Sequence, residues 1–128
     1  MKKDDSNNFA PEHLKKLGCE LICYIVENKG GFKIPETRKK EYMFIEFMQV
    51  PEKLREKGYG TELLNTAIEM CKKNRLDCIV LDAADHYLKR WYESRGFLLT
   101  STASKFVLEM YKKVWGFYDS YWFKQCYK

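Results

Sequence analysis

The sequence predicts a mixed α/β fold, and three neighbouring segments carry that prediction. Residues 42–50 are mostly apolar and end at Pro51, which is typical of a buried strand. Over residues 59–74, apolar side chains recur at the spacing of one helix face. The continuous apolar run 78–81 is typical of a strand that is covered on both faces. Strand, helix and strand in this order predict a right-handed crossover between two parallel strands.

Shorter elements are predicted before this unit. Pro11 lies in the first turn of a short helix that Gly18 ends, and the apolar residues of 19–27 predict a buried strand. The segments that follow are predicted as a turn at 28–31, a brief returning strand at 32–34 and a charged loop at 36–41.

After the crossover, Asp85 can cap a helix that ends before Gly96. Residues 97–100 and 105–111 then predict two closing strands. The segment 114–128 lies beyond them as an aromatic C-terminal extension.

Length and composition predict one soluble domain, residues 1–128. An apolar content of 45% with 32% charged residues is ordinary for a globular protein. The polar residues 1–8 are expected to be flexible and do not resemble a secretory signal. No apolar run is long enough to cross a membrane, so we expect a cytoplasmic protein without a membrane partner.

Cysteine and charge patterns exclude several classes of function. The five cysteines form no Cys-x-x-Cys pair, and with only two histidines they predict reduced, packed thiols and no metal site. The net charge of +5 comes from basic residues that are scattered among acidic ones, which makes nucleic acid an unlikely partner. A few of these residues would suffice to bind the phosphates of a cofactor.

One loop is typical of anion binding. Arg55-x-x-Gly58-x-Gly60 lies between the predicted strand and helix, where glycine allows a tight turn and close approach of an anion. The unpaired amides at the helix start and the charges of Arg55 and Lys57 would attract phosphate. A dinucleotide fingerprint would need glycine where Leu63 stands, and a P-loop motif is absent from the sequence. A glycine-containing loop without a ligand stays open as an alternative.

A second motif gives the sequence a resemblance to a known family. Residues 91–97, Trp-Tyr-Glu-Ser-Arg-Gly-Phe, follow the loop at a distance and in an order that resemble the GNAT acetyltransferases. The resemblance covers 41–97 well and 19–34 loosely. It implies a mixed twisted sheet, flanked by helices, in which the parallel strands 41–50 and 77–83 splay apart.

The resemblance also implies acetyl-CoA as cosubstrate. The pantetheine arm would pair with the backbone of the first splayed strand, at Met48, Gln49 and Val50. The pyrophosphate would be bound by the loop and the helix start, that is by Arg55, Lys57, Gly58, Tyr59, Gly60 and Thr61.

The family transfers acetyl groups by direct attack of an amine on the thioester. Tyr92 matches the tyrosine that often protonates the departing thiolate, although core packing is its alternative role. Glu46 is the candidate base, because it lies two residues from the family's usual position at Phe44 and so shares its face. A solvated or salt-bridged strand glutamate is the alternative for Glu46. The reserve candidates for the base are Glu20, Glu27 and Asp82.

The resemblance is incomplete in the region that builds the acceptor pocket. Asp85 stands where the family often has asparagine, Leu88 replaces a small residue, and there is room for one N-terminal helix where many relatives have two. The predicted function is N-acetylation of a primary amine on a small molecule or a protein. A non-catalytic acyl-CoA sensor or interaction module with the same fold is the alternative.

The C-terminal extension is predicted to be ordered. Seven of the fourteen residues in 115–128 are aromatic, a density that a solvated terminus rarely carries. We expect this segment to be buried within the chain or against a second copy in a homodimer, and it could wall the acceptor cleft.

Overall fold

The computed structural model describes residues 7–115. Its regular elements form one layered α/β structure. In chain order they are α1 (Glu12–Lys15), β1 (Glu20–Glu27), β2 (Glu41–Gln49), α2 (Tyr59–Lys73), β3 (Cys78–Ala83), α3 (His86–Glu93), β4 (Leu98–Leu99) and β5 (Leu108–Lys113). Short 3₁₀ turns lie at Gly30–Phe32 and Glu52–Leu54.

The strands form one mixed sheet in the order β1-β2-β3-β5-β4. β2 and β3 are parallel and joined through α2, whereas the other neighbouring pairs are antiparallel. The predicted crossover and the mixed sheet are therefore confirmed.

The two parallel strands part before they end. β2 pairs with β3 from Met43 to Ile45, and the last pair in the register is Ile45 with Leu81. β2 nevertheless continues to Gln49, which lies opposite Glu20 of β1. Within the described residues, the β3-facing edge of β2 is thus unpaired after Ile45. The splay that the family resemblance implied is confirmed.

A β-bulge lies where the strands part. Ile22 of β1 is opposite Phe47, but its neighbour Cys23 is opposite Ile45, so Glu46 is an extra residue in β2. A bulge bends its strand and increases the local twist. The bulge follows directly after Ile45, the last residue of β2 that pairs with β3.

The faces of the sheet are covered differently. On one face, residues of β2 and β3 such as Met43 and Ile79 pack with both α2 and α3 in the main core. On the other, Tyr42 and Val80 belong to a smaller cluster covered by Ile34 from the 28–40 loop. We call the first the helix face and the second the open face.

The predicted strand at 32–34 is wrong. Gly30–Phe32 forms a 3₁₀ turn, and the Tyr42 hydroxyl donates to the Phe32 carbonyl oxygen over 2.6 Å. The Asn28 side chain accepts from the Ile34 amide and donates to the Thr37 carbonyl. These side chains satisfy backbone groups that a strand would have paired, and this is why the loop folds across the open face instead.

The closing strands also differ from their predicted bounds. β4 contains only Leu98 and Leu99, and β5 begins at Leu108 rather than at residue 105. The Ser104 hydroxyl accepts from the amides of Phe106 and Val107, which holds this segment in a turn ahead of the strand.

The described residues end on the core at both termini. The Asn8 side chain donates to the Cys19 carbonyl oxygen and accepts from the Leu21 amide. At the other end, the Trp115 indole donates to the Leu76 carbonyl oxygen over 2.8 Å. Residues 1–6 and 116–128 lie outside the described residues, so the predictions of a flexible N-terminus, a buried aromatic tail and a homodimer are untested.

The described part of the chain bears on two further expectations. Its cysteines are buried and free of disulfides, in agreement with the prediction of packed thiols: Cys19, Cys23, Cys71 and Cys78. None of its helices has the length and apolar character needed to cross a membrane. The cytoplasmic location stays a prediction.

Candidate active site

The loop between β2 and α2 has the backbone conformation that an anion cradle requires. Gly58 is the N-cap of α2 and lies in the left-handed region, with φ +85°. Glu56 has φ +66°, which is uncommon for a residue other than glycine. Apart from Gly58 and its chain neighbours, no atom of residues 7–115 lies within 4 Å of the position that a Cβ of Gly58 would take, so the described loop is open there.

The first turn of α2 presents amides that the helix does not use. No side chain of residues 7–115 caps it, and the Glu62 amide makes the first helical bond, to the Gly58 carbonyl oxygen. The amides of Tyr59, Gly60 and Thr61 therefore lack partners within the helix, at the positive end of a helix of 15 residues. Glu62, the acidic residue of this turn, contacts the imidazole of His13.

Basic side chains stand beside this turn. Arg55 and Lys57 are exposed. The Arg55 Nε lies 3.4 Å from the carbonyl oxygen of Val50, which ties the loop back to the end of β2. The loop, the helix start and the unpaired edge of β2 are thus continuous along the chain.

Gly60 serves the packing of the two helices. A Cβ at this position would lie 3.2 Å from Cζ2 and 3.6 Å from Cη2 of Trp91. The 3.2 Å contact is tighter than ordinary side-chain packing, so the indole ring of α3 would have to shift by a few tenths of an ångström to admit a side chain at residue 60. Of the two motif glycines, Gly58 is needed for its dihedral angles and Gly60 for the close approach of Trp91.

Arg95 was not among the residues predicted from the sequence, and it bridges the two motifs. Its Nε and Nη2 lie 3.3 and 3.0 Å from the Thr61 hydroxyl oxygen. Its Nη1 donates to the Trp91 carbonyl oxygen and the Ser94 hydroxyl. The guanidinium carbon lies 3.5 Å from the centroid of the Trp91 ring. The only sequence signal was the position of this cation within the second motif.

Tyr92 is buried on the helix face. Its ring makes edge contacts with Trp91 and Phe97, at centroid distances of 5.1 and 5.3 Å. Burial raises the pKa of Tyr92 to about 12. Within residues 7–115 the Tyr92 hydroxyl has no hydrogen-bond partner. It therefore donates its proton to no other described protein group.

Glu46 is exposed at the bulge, on the side of the open face. Its carboxylate lies 3.4 Å from the Tyr24 hydroxyl, and the Tyr24 ring packs against Phe44. Burial, Glu46 and, more weakly, Asp82 raise the pKa of Tyr24. Among the described residues Glu46 forms no ion pair, so none of them supports the alternative of a salt-bridged glutamate.

The charges of Glu46 and Asp82 both raise the pKa of Tyr24, so Asp82 lies in the same neighbourhood as Glu46. Asp82 of β3 is directly opposite Glu109 of β5, which places both on one face. Partial desolvation and the charge of Glu109 raise the pKa of Asp82. The reserve candidate Glu27 pairs with Lys29 at the far end of β1, away from the parting strands.

The residues predicted for the pantetheine arm lie at the splayed end of β2. Gln49 is exposed, and Met48 and Val50 are half-buried against the main core. Their strand is paired with β1 on one side only. The structure therefore brings an open strand edge, free helix amides and two basic side chains into one region.

Residues 20–97 match the sequence profile of the acetyltransferase (GNAT) family. The match spans more than half of the chain and includes both motifs. The chain belongs to the GNAT acetyltransferase family. No curated protein sequence matches this GNAT chain.

Solved structures share the fold of this GNAT chain. It is similar to YlbP, an N-acetyltransferase of Bacillus subtilis in complex with coenzyme A, with 15% identity, a TM-score of 0.56 and coverage of 74% of this chain and 59% of that one. For the NatC complex bound to Gag peptide and CoA, the values are 16%, 0.56, 74% and 60%. A mutant of the toxin AtaT, bound to the C-terminus of the antitoxin AtaR and acetyl-CoA, gives 8%, 0.59, 85% and 64%. This GNAT chain spans less than two thirds of the length of each.

The contact of Gly60 with Trp91 predicts a coupling between the two motifs of this GNAT chain. Alanine in a helix is favoured over glycine by up to about 1 kcal/mol, but at residue 60 it would press on the indole ring. We expect Gly60→Ala to be neutral or destabilising in the native background and stabilising in a Trp91→Phe background. Urea unfolding of the four proteins should give a coupling free energy of about 1 kcal/mol.

Gly58→Ala is the matched control. Its cost arises from the positive φ and should be the same with either residue at position 91. An equal effect of Gly60→Ala in both backgrounds would show that the Trp91 contact does not constrain residue 60.

Proposed function

We propose that this chain is an N-acetyltransferase that transfers an acetyl group from acetyl-CoA to a primary amine. The observation that carries the proposal is the opening between β2 and β3 beside the uncapped start of α2. A long ligand with an amide-containing arm and a diphosphate matches both parts of this region. The CoA and acetyl-CoA bound in the similar structures support the same cosubstrate.

The described residues offer partners for two parts of such a cosubstrate, the pantetheine arm and the diphosphate. The free edge at Met48, Gln49 and Val50 can pair with the pantetheine amides as an added strand would. The diphosphate would accept from the first-turn amides of α2, with Lys57 adding charge. The open space beside Gly58 in the described part of the chain leaves room for a bulky anion there.

Acetyl-CoA would supply an activated acyl carbon, and side chains of the protein would accept and donate the protons. Tyr92 lies on the helix face and Glu46 on the side of the open face, so a reacting group between β2 and β3 would have one of them on each side. In the proposed reaction the carbon–nitrogen bond forms as the carbon–sulfur bond breaks. Glu46 accepts a proton that the amine loses, directly or through water, and Tyr92 donates one to the departing sulfur.

The acceptor is the least constrained part of the proposal. The carboxylates of Glu46 and Asp82, which both lie near the Tyr24 phenol, provide a negative charge that favours a cationic amine. The acceptor could be a small amine or, as the peptide bound to the NatC complex suggests, an amine of a protein.

A non-catalytic acyl-CoA-binding module is the second candidate. The packing of Tyr92 between two aromatic rings favours it, because this packing alone would account for a tyrosine at that position. Thiol release from acetyl-CoA in the presence of a panel of amines and peptides separates the two candidates. Binding without release on any acceptor would support the module.

The proposed cofactor site predicts that its ligand stabilises the folded protein. CoA or acetyl-CoA should raise the Tm, because a ligand that binds only the folded state stabilises it. Arg55→Ala should weaken CoA binding about tenfold and leave pantetheine nearly unaffected, since a charge-assisted contact with phosphate is lost. Isothermal titration of both ligands measures this selectivity.

Lys53→Ala controls for general charge, because Lys53 is an exposed cation outside the motif. Equal losses of CoA and pantetheine affinity in Arg55→Ala would remove Arg55 from the diphosphate site.

The buried phenol predicts an effect on chemistry rather than on binding. Tyr92→Phe keeps the ring contacts and should lower kcat by about 10²–10⁴-fold with little change in CoA affinity. Because the pKa of Tyr92 is raised to about 12, its ionisation should not reduce the native kcat below about pH 10. Tyr87→Phe, on the exposed side of the same helix, is the control. Unchanged turnover, with chemistry shown to be rate-limiting, would reduce Tyr92 to a packing residue.

The position of Glu46 predicts a change in pH dependence. A base must be ionised to act, so kcat/KM should fall at acidic pH, and Glu46→Gln should lower the rate and remove this acidic limb. Asp82→Asn is the matched variant. The raised pKa of Asp82 would place its own limb above the pH of an ordinary aspartate. A limb that survives in Glu46→Gln and disappears in Asp82→Asn would assign the base to Asp82.

A further inference from the structure

The guanidinium group of Arg95 is held rigidly next to the first turn of α2. It stacks on Trp91 at 3.5 Å, and Trp91 in turn lies against Gly60. Its hydrogen bonds reach Thr61 in α2 and the Trp91 carbonyl oxygen and Ser94 in and after α3. No carboxylate among residues 7–115 forms an ion pair with it, so its charge is not neutralised by the described protein.

The hydrogen bonds of Arg95 leave one donor of Arg95 and one of Thr61 unused. A guanidinium has five N–H groups, and the four contacts of Arg95 occupy four of them. The two bonds to Thr61 fill both lone pairs of its hydroxyl oxygen. The hydroxyl proton of Thr61 must therefore point away from Arg95, and no described acceptor receives it. One N–H of Arg95 and the O–H of Thr61 stay available beside the free amides of the helix.

We propose that Arg95 is a positioning residue for the diphosphate of the cosubstrate. It orients the Thr61 hydroxyl so that this group donates to a phosphate oxygen, and it adds its own charge and remaining N–H to the site. The inference rests on the proposed function, because it needs a CoA-type ligand at the start of α2. It assigns to the second motif a part in cofactor binding that is separate from the role of Tyr92.

A purely structural role is the competing explanation, since Arg95 also joins α2 to α3. The two roles predict different effects of the ligand's phosphate groups on the loss of binding affinity. Loss of a helix-to-helix contact would weaken every ligand of the site by a similar factor. Loss of an oriented donor would weaken ligands in proportion to the phosphate groups that they carry near Thr61.

The test compares three ligands by isothermal titration with the full chain: CoA, 3′-dephospho-CoA and pantetheine. Arg95→Gln should weaken the first two about tenfold or more and pantetheine by less than about twofold. Arg95→Lys keeps the charge but not the paired bonds to Thr61, and should fall between. Arg90→Gln removes an exposed cation from the same helix and should change none of the three.

A double-mutant cycle tests the coupling to Thr61. Thr61→Val keeps the side-chain shape and removes the hydroxyl, so it should reproduce part of the loss for both diphosphate ligands. Arg95→Gln combined with Thr61→Val should cost less than the sum of the two single losses. Thr61→Ser, which restores the hydroxyl, should bind nearly as the native chain does.

The possible results distinguish failure of this inference from failure of the proposed function. Equal weakening of pantetheine and CoA in Arg95→Gln, or additive losses in the double mutant, would overturn the role of Arg95 while native CoA binding stands. If Arg95→Gln does not fold, the same comparison with Arg95→Lys and Thr61→Val decides the point. A native chain that binds none of the three ligands would refute the proposed function, and the inference with it.

Discussion

The parting of β2 from β3 is the constraint on which the rest of the structure depends. Parallel strands normally pair along their shared length, because an unpaired backbone group in a protein interior is costly. Here the pairing stops at Ile45 and Leu81, and the bulge at Glu46 follows directly. The strand edge that results can be satisfied by water or by a ligand that pairs as a strand does. Both faces of the sheet border this opening, and the loop that leads to α2 begins beside it.

The junction of α2 and α3 gives the opening its anion-binding end. Gly58 turns the chain into α2 without a side-chain cap, so the first-turn amides stay free. Gly60 admits Trp91, and Trp91 supports the guanidinium group of Arg95. The glycines, the tryptophan and the arginine are separated in the chain but form one packed unit. Its geometry depends on the absence of a single Cβ as much as on any hydrogen bond.

The two faces of the sheet provide different chemical environments next to the opening. The helix face is a desolvated core, which keeps the Tyr92 phenol protonated over the physiological range. The open face is covered by a loop that the hydrogen bonds of Tyr42 and Asn28 hold in place, and the carboxylates of Glu46 and Asp82 both lie near the Tyr24 phenol. The proposed proton donor therefore lies in the desolvated core, whereas the proposed proton acceptor is exposed on the side of the other face.

The sequence by itself determined the crossover, the glycine loop, the capped helix at Asp85 and the membership of the family, because hydrophobic period and turn chemistry are local properties. It did not determine the conformation of 32–34 or the start of β5, where side chains of Asn28, Tyr42 and Ser104 satisfy backbone groups in place of a strand. Only the tertiary structure decided the bulge at Glu46, the neighbourhood of Asp82 and Glu109, and the bond from Arg95 to Thr61. These depend on strand register and helix packing, which bring together residues far apart in the chain and leave no local pattern.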